Sequence, residues 1–432
     1  MIFNCDNIRT LKLIFKDYIM KRFEFIAVTC LILACSTLFA QNPRPARNPD
    51  GPFKVSIGEC THGRVEVTPA IPADGIELPK GTVLKIKAYP DPGYAFECGY
   101  MAQNGSFVYY DEYYTPEFEV TVNTTCSVGA SFVEPERLQG YKCIRDVAYA
   151  KPGVKTLKYD AFIPDGAKKL PGVVIIHGGG WRMNCEDVMK GLARELCKDG
   201  KYVVFSIDYR WIGNADGDAE PNTMTDIIED CYGAILHIQE HAKEYGLDPK
   251  KLAVTGDSAG GHLCAAVANM VELVGDGGFG KTPGVYQYLP TYMPKGMSAK
   301  KAQKSLKAIK AVAPNYGIFN LAGVQRYGRD LPLEAQKAWA PLENIPNPKK
   351  RKIPQWINRG TADNVVSDEG NQEYYDALKA AGQEAYYVKV PGAAHAYYDW
   401  KPDTATKETF IKYGAPYARQ MEDFFNTVFY KK

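Results

Sequence analysis

The residues of this chain best suited to chemistry are a serine, an aspartate and a histidine, each set just beyond an apolar run. Gly256-Asp257-Ser258-Ala259-Gly260 follows Leu252-Ala253-Val254-Thr255 and leads directly into Gly261-His262-Leu263-Cys264-Ala265-Ala266-Val267. A buried strand turning sharply through a serine into a helix is a nucleophile elbow, and glycines two residues either side let strand and helix pass close. Such a hydroxyl needs a base for its proton, and the base needs a carboxylate to fix its tautomer. Asp363 stands just past Ile357-Asn358-Arg359-Gly360, and His395 stands past Tyr386-Tyr387-Val388-Lys389-Val390. Among the six histidines, His395 is the one in a loop after the last expected strand. Asp368 and Asp399 are the other candidates for the acid, though neither follows a strand so directly.

Upstream, Val173-Val174-Ile175-Ile176 reads as a strand buried on both faces and ends in His177-Gly178-Gly179-Gly180-Trp181. Three successive glycines leave backbone N–H groups free to meet an oxygen that gains negative charge, and one such donor is worth about 2.7–4 kcal/mol in a transition state. His177 reads as a brace for this loop, and Asp257 as a turn or helix-start residue. His237-Ile238-Gln239-Glu240-His241 matches the pattern of inverted zinc peptidases. It continues a helix with the apolar stripe Ile227, Cys231, Ile235 and Ile238, so both histidines are expected on its solvent side, with no third ligand.

Positioning these groups calls for an α/β fold: a doubly wound, mostly parallel sheet over residues 137–432, preceded by a small all-β module. Val271 to Lys307 is longer than a helix-to-strand connection needs and reads as a cap over the site. Trp181, Tyr286 and Tyr288 are the expected substrate contacts. Residues 53–135 differ in character: Arg64-Val65-Glu66-Val67, Thr82 to Ala88, Phe118 to Val122 and Cys126 to Phe132 alternate apolar and polar residues between Gly and Pro turns. That pattern predicts antiparallel strands with one wet face, and a catalytic part that works without them. The aromatic cluster Tyr94, Phe96, Tyr100, Phe107, Tyr109, Tyr110, Tyr113 and Tyr114 could stack on sugar rings, but reads first as packing.

Residues 1–40 read as a signal peptide with an upstream start: Met20-Lys21-Arg22 is a basic n-region and Leu38-Phe39-Ala40 fits the cleavage site. Leu31-Ile32-Leu33-Ala34-Cys35 also resembles a lipoprotein box, and membrane anchoring is expected only if Cys35 is lipidated. Residues 41–52 are a Pro-rich linker. The chain is therefore expected to be exported to the periplasm, cell surface or medium of a bacterium. Its formal net charge of +2 offers nothing to attract nucleic acid. Disulfides are allowed by export, but spacing assigns no partners, and Cys264 is expected to be a buried free thiol. Oligomeric state is not legible.

From about Tyr141 onward the chain resembles the α/β-hydrolase superfamily, and within it bacterial acetylxylan and feruloyl esterases. The resemblance is carried by Asp146-Val147-Ala148-Tyr149, the oxyanion loop, Ile207-Asp208-Tyr209-Arg210, the elbow, Gly360-Thr361-Ala362-Asp363 and the His395 loop. It implies a Ser258 nucleophile, a His395 base, an Asp363 acid, oxyanion donors at Gly179, Gly180 and the N–H of Ala259 with the choice among the three loop glycines left open, neither a metal nor an organic cofactor, and an acylated carbohydrate as substrate. A prolyl-oligopeptidase-type peptidase shares the triad order, and an inert surface-binding protein is the alternative from another class. The segment Gly81-Thr82-Val83, Ala88-Tyr89-Pro90, Gly93-Tyr94-Ala95-Phe96 resembles internalin B-repeat-type β modules.

Overall fold

The computed structural model describes residues 50–279 and 282–430. The leader, its cleavage site and Cys35 lie outside the described residues. Among these residues no helix is long and apolar enough to cross a membrane.

The first strands are β1 (Phe53–Ile57), β2 (Gly63–Thr68), β3 (Ile76–Leu78), β4 (Val83–Pro90), β5 (Ala95–Gln103), β6 (Tyr110–Tyr113), β7 (Glu117–Thr121) and β8 (Cys126–Val133). They form a three-stranded sheet, β2-β4-β7, and a five-stranded one, β3-β1-β8-β5-β6. In β4 every second residue is buried, Leu84, Ile86 and Ala88, while Lys85 and Lys87 face water, as alternation predicts. Strand β8 departs from that expectation. All eight of its residues are buried, and it pairs parallel with β1 and antiparallel with β5. Its second face is covered by the chain that follows, and the polar groups there are paired. Ser131 Oγ donates to Glu97, whose carboxylate also accepts from Arg194 and from Trp400 Nε1 at 2.7 Å. Glu112 of β6 pairs with Lys190, both side chains at 0% exposure. Burial pushes the Glu97 carboxyl up, but Arg194, Lys190 and Lys407 together bring it well below its ordinary value.

The large sheet has the order β16-β15-β14-β13-β11-β12-β10-β9. Its strands are β9 (Tyr141–Ala150), β10 (Leu157–Pro164), β11 (Leu170–Ile176), β12 (Val203–Ile207), β13 (Leu247–Asp257), β14 (Ile309–Asn315), β15 (Gln355–Gly360) and β16 (Ala385–Val390). From β12 to β16 all pairings are parallel; β9 and β10 join antiparallel at one edge. The longer helices are α1 (Lys190–Cys197), α2 (Met224–Glu240), α3 (Ala259–Asn269), α4 (Ala299–Leu306), α5 (Asp368–Ala380) and α6 (Ala415–Phe429). The central strands carry apolar residues on both faces because both faces are covered. Val174 and Ile176 of β11 pack with α2 and α3, while Val173 and Ile175 pack with α1 and α6. This is the α/β-hydrolase arrangement expected of the chain, and it brings the ends of β11, β13, β15 and β16 to one edge of the sheet, with β14 between β13 and β15.

The segment Val271 to Lys307 turns inward. Val274, Phe279, Tyr288 and Leu306 join the core cluster that includes α2. All eight described cysteines are free thiols, and Cys264 is buried.

Candidate active site

Strand β13 ends at Asp257, and Ser258 takes φ +52° before α3 begins at Ala259. A side chain is rarely held there, and the neighbours enforce it. A Cβ at Gly260 would collide with Ile176 O, and one at Gly256 with Gly260 O, so strand, turn and helix can approach only through glycine. The elbow thereby projects Ser258 Oγ to 2.9 Å from His395 Nε2. His395 Nδ1 lies 2.8 Å from Asp363 Oδ2. Asp363 Oδ1 accepts the N–H groups of Val365 and Val366 at 2.8 and 3.0 Å, which fixes the carboxylate. Burial raises the Asp363 carboxyl, but hydrogen bonds and the charge of His395 outweigh it, so it sits below its usual value. Its side chain is fully buried while His395 keeps 17% exposure, leaving the imidazole open to a water or alcohol. The rival acids are occupied elsewhere: Asp368 binds Lys389 and Tyr387, and Asp399 binds Lys401.

In the glycine loop, the N–H of Gly178 donates to Asp257 Oδ1 at 2.6 Å, which removes it from the donors left open by the resemblance. Among the described residues, Gly179 and Gly180, at φ +116° and +59°, donate to no protein acceptor, and Ala259 opens α3 with a free helix-start N–H. Asp257 is thus more than a turn residue, because it ties the loop to the elbow. Its own burial and the nearby charge of Asp399 push its carboxyl well up. His177 is the expected brace: it stacks on Tyr209 at 4.2 Å, with Nε2 3.2 Å from Asp208 and Nδ1 2.6 Å from Gly178 O.

Two of the expected substrate contacts are corrected. Trp181 is 1% exposed and donates its indole N–H to His262 Nδ1 at 3.2 Å, and Tyr288 is fully buried with its hydroxyl on Ala338 O at 2.6 Å. Trp181 packs against His262 and Tyr327, and Tyr288 against Tyr232 and Phe279. Tyr286 is half-buried against Phe279 and packs on the same core. Missed by sequence reasoning was His262, whose Nε2–H bonds Trp339 O at 2.8 Å while Nδ1 receives Trp181. Its place one turn into α3 beneath the loop was the available signal.

His237 is corrected as well. It is buried rather than solvent-facing, with Nδ1 3.0 Å from Tyr159 Oη and its ring stacked on His241 at 4.4 Å. Strand β10, next to the edge strand β9, supplies that tyrosine, and burial lowers His237 to about 4. Among the described residues the acids close enough to share a cation are Asp146, Asp160 and Glu186. Lys158 already pairs with Asp146 and Glu186, and Arg145 with Asp160, so the chain's own cations neutralise the group.

A family model described as BD-FAE matches residues 159–378, a little over half of the chain. Carboxylic ester hydrolase LipN of Mycobacterium tuberculosis is 38% identical over 25% of this chain and 27% of its own length. Carboxylesterase NlhH of the same species is 33% identical over 37% of this chain and 44% of its own. The chain therefore spans less than half the length of these two curated relatives. The solved apo form of Thermogutta terrifontis esterase 2 is 23% identical, covers 67% of this chain and 94% of that one, and has a TM-score of 0.49.

Proposed function

The chain belongs to the BD-FAE family, and from that premise we propose that it is a carboxylic ester hydrolase acting through an acyl-enzyme on Ser258. The observation that carries this reading is the continuous relay from Ser258 Oγ through His395 to Asp363, at 2.9 and 2.8 Å. In the proposed first half, Oγ attacks the ester carbonyl carbon as His395 Nε2 takes its proton. The carbonyl oxygen becomes an oxyanion facing the N–H groups of Gly179, Gly180 and Ala259. Collapse breaks the bond to the alkoxy oxygen, which leaves with the proton from His395 as an alcohol. A water then repeats the sequence on the acyl-serine, His395 again serving as base and then acid, and a carboxylic acid is released. Asp363 keeps Nδ1 protonated throughout and stabilises the transient imidazolium.

For substrate we propose an acetylated or feruloylated plant polysaccharide or its oligosaccharides. Support comes from the resemblance of the elbow, the oxyanion loop and the histidine loop to those of esterases of that class. Export, expected from residues 1–40, is proposed to bring the enzyme to such polymers. Release of acetate or ferulate from natural xylans tests the reading. Cleavage of proline peptides with no release from xylan would favour a peptidase instead, and failure of Ser258 to label with a fluorophosphonate would overturn the hydrolase itself.

A further inference from the structure

Arg182 is the second residue past Gly180, and its N–H donates to Gly179 O at 3.0 Å, closing a turn of the oxyanion loop. Its guanidinium stands 5.8 Å from the centre of the Tyr327 ring. Arg326 stands 4.8 Å from the same ring and donates to its hydroxyl at 3.0 Å. The tyrosine is fixed in turn by Trp181, ring centres 5.3 Å apart, and Trp181 by His262 behind the nucleophile.

Half-buried Arg182 and exposed Arg326 differ from three arginines that each hold a carboxylate. Arg145, Arg194 and Arg210 each hold a carboxylate, at 2.5 Å for Arg145–Asp160 and 2.8 Å for Arg210–Asp230. Among the described residues neither Arg182 nor Arg326 has a carboxylate partner, and Arg182 Nε is shielded from solvent without an acceptor. Two like charges about one ring repel, and a half-buried guanidinium lacking a partner is unfavourable unless something supplies the acceptor. The planar fork of arginine suits a carboxylate, which it can hold by two parallel hydrogen bonds. Tyr109 and Trp211, ring centres 6.1 Å apart, stand beside this loop, with Trp211 Nε1 on Asn184 O at 3.0 Å. Tyr109 lies close enough for Arg182 to oppose the rise that burial imposes on its hydroxyl.

We propose that Arg182 and Arg326, gathered about Tyr327 at the end of the oxyanion loop, form an anion subsite that takes a carboxylate carried by the ester substrate. The inference rests on the hydrolase reading and narrows it. Cα atoms two residues apart are separated by at most about 7 Å, and the arginine side chain adds a comparable length, so the guanidinium is anchored within the span of a substituted sugar or an acyl chain from an ester seated at Gly180. The carboxylate can come from a uronic acid bearing the acyl group or from the free end of a dicarboxylic acyl group. Both sources present the same chemistry to the guanidinium groups.

Matched ester pairs separate them. One pair is an acetylated methyl glucuronoside against the acetylated methyl glucoside; the other is 4-nitrophenyl hemisuccinate against 4-nitrophenyl butyrate. The full chain should favour the charged member of one pair by about tenfold in kcat/KM, and rising sodium chloride should shrink that ratio. Arg182→Gln and, separately, the exposed Arg326→Gln should each lower the ratio towards one; the second variant keeps the test open should the first fail to fold. Ratios near one in both pairs, or ratios that neither substitution moves, overturn the proposal alone. Absence of any turnover of 4-nitrophenyl acetate by the unaltered chain overturns the hydrolase reading, and this inference with it.

Discussion

His395 and His177 each hold an aspartate by one ring nitrogen, yet only one of them faces a nucleophile. His395 offers its second nitrogen to Ser258 Oγ at 2.9 Å and keeps part of its ring in contact with solvent. His177 turns its second nitrogen to Gly178 O at 2.6 Å, has no exposure, and shares Asp208 with Lys155 at 2.8 Å. What divides a base from a brace is therefore not the histidine–carboxylate pair but the atom on the far side of the ring and its access to water. In His177 both nitrogens are used by fixed partners, so the ring can hold a loop but cannot pass a proton.

The largest effect expected from this contrast is in the rate. His395→Ala should lower kcat/KM by about 10⁴-fold or more while the melting temperature stays within a few degrees of the parent, because removing one triad member abolishes the relay. His177→Ala should do the reverse in proportion. We expect a loss of about a hundred- to a thousandfold, the range for a displaced oxyanion donor, together with a cavity cost of about 2–5 kcal/mol in stability. Kinetics and thermal melts on the two variants check both. Equal losses in rate from the two substitutions, with equal melting temperatures, would erase the distinction.

A third pair extends the comparison to a place with no chemistry. Glu97 and Arg194 are joined across the covered face of β5 and α1, and Lys190 and Glu112 lie beside them. Glu97→Gln leaves Arg194 and Lys407 with a neutral neighbour in a buried site, which should reduce stability by about 3–5 kcal/mol. Urea unfolding measures it, and kcat of the folded fraction should be that of the parent. A change below about 1 kcal/mol would show that the pair is wet. The same contacts bear on whether the catalytic part works without residues 53–133, since their removal strips Lys190 and Arg194 of their carboxylates.

The difference in legibility follows the same line. Ser258, Asp363 and His395 could be read because each stands at the end of an apolar strand, and a parallel sheet brings such ends together whatever the spacing between them. The glycine loop could be read for a related reason, since glycine runs mark backbone that must approach other backbone. Trp181 and Tyr288 were misplaced because a large aromatic beside a loop carries no local mark of whether its ring fills a cavity or lines a cleft. His237 was misplaced because the helix stripe predicts one covered face, whereas β10 covers a second with Tyr159. Glu97, Glu112, Lys190 and Arg194 carry no local mark in the sequence that sets them apart from surface charges; only the docking of one sheet on a helix 78 to 97 residues later makes them partners.

The smallest effect tests a histidine that belongs to neither pair. His262 accepts the indole N–H of Trp181 on Nδ1 and donates from Nε2 to Trp339 O, an arrangement that only the neutral ring can make. Burial lowers it from 6.5 to about 4. Below 6.5 the unfolded chain binds a proton that the folded chain refuses, so this stability is fully present above that value and is lost as the pH falls from 6.5 towards 4. The whole loss is on the order of 3 kcal/mol, and His237 adds to it with the same sign. Melting temperatures of the parent and of His262→Gln should therefore converge over that window, the parent falling the more steeply. Protonation also turns Nδ1 from acceptor to donor and faces it against the indole N–H, so the anchor of Trp181, and with it the turn that follows Gly180, is released as the proton goes on. A parallel fall of both proteins between 6.5 and 4 would show that the ring takes its proton in the fold as readily as in the unfolded chain, and that the neutral arrangement assigned to it does not hold over that window.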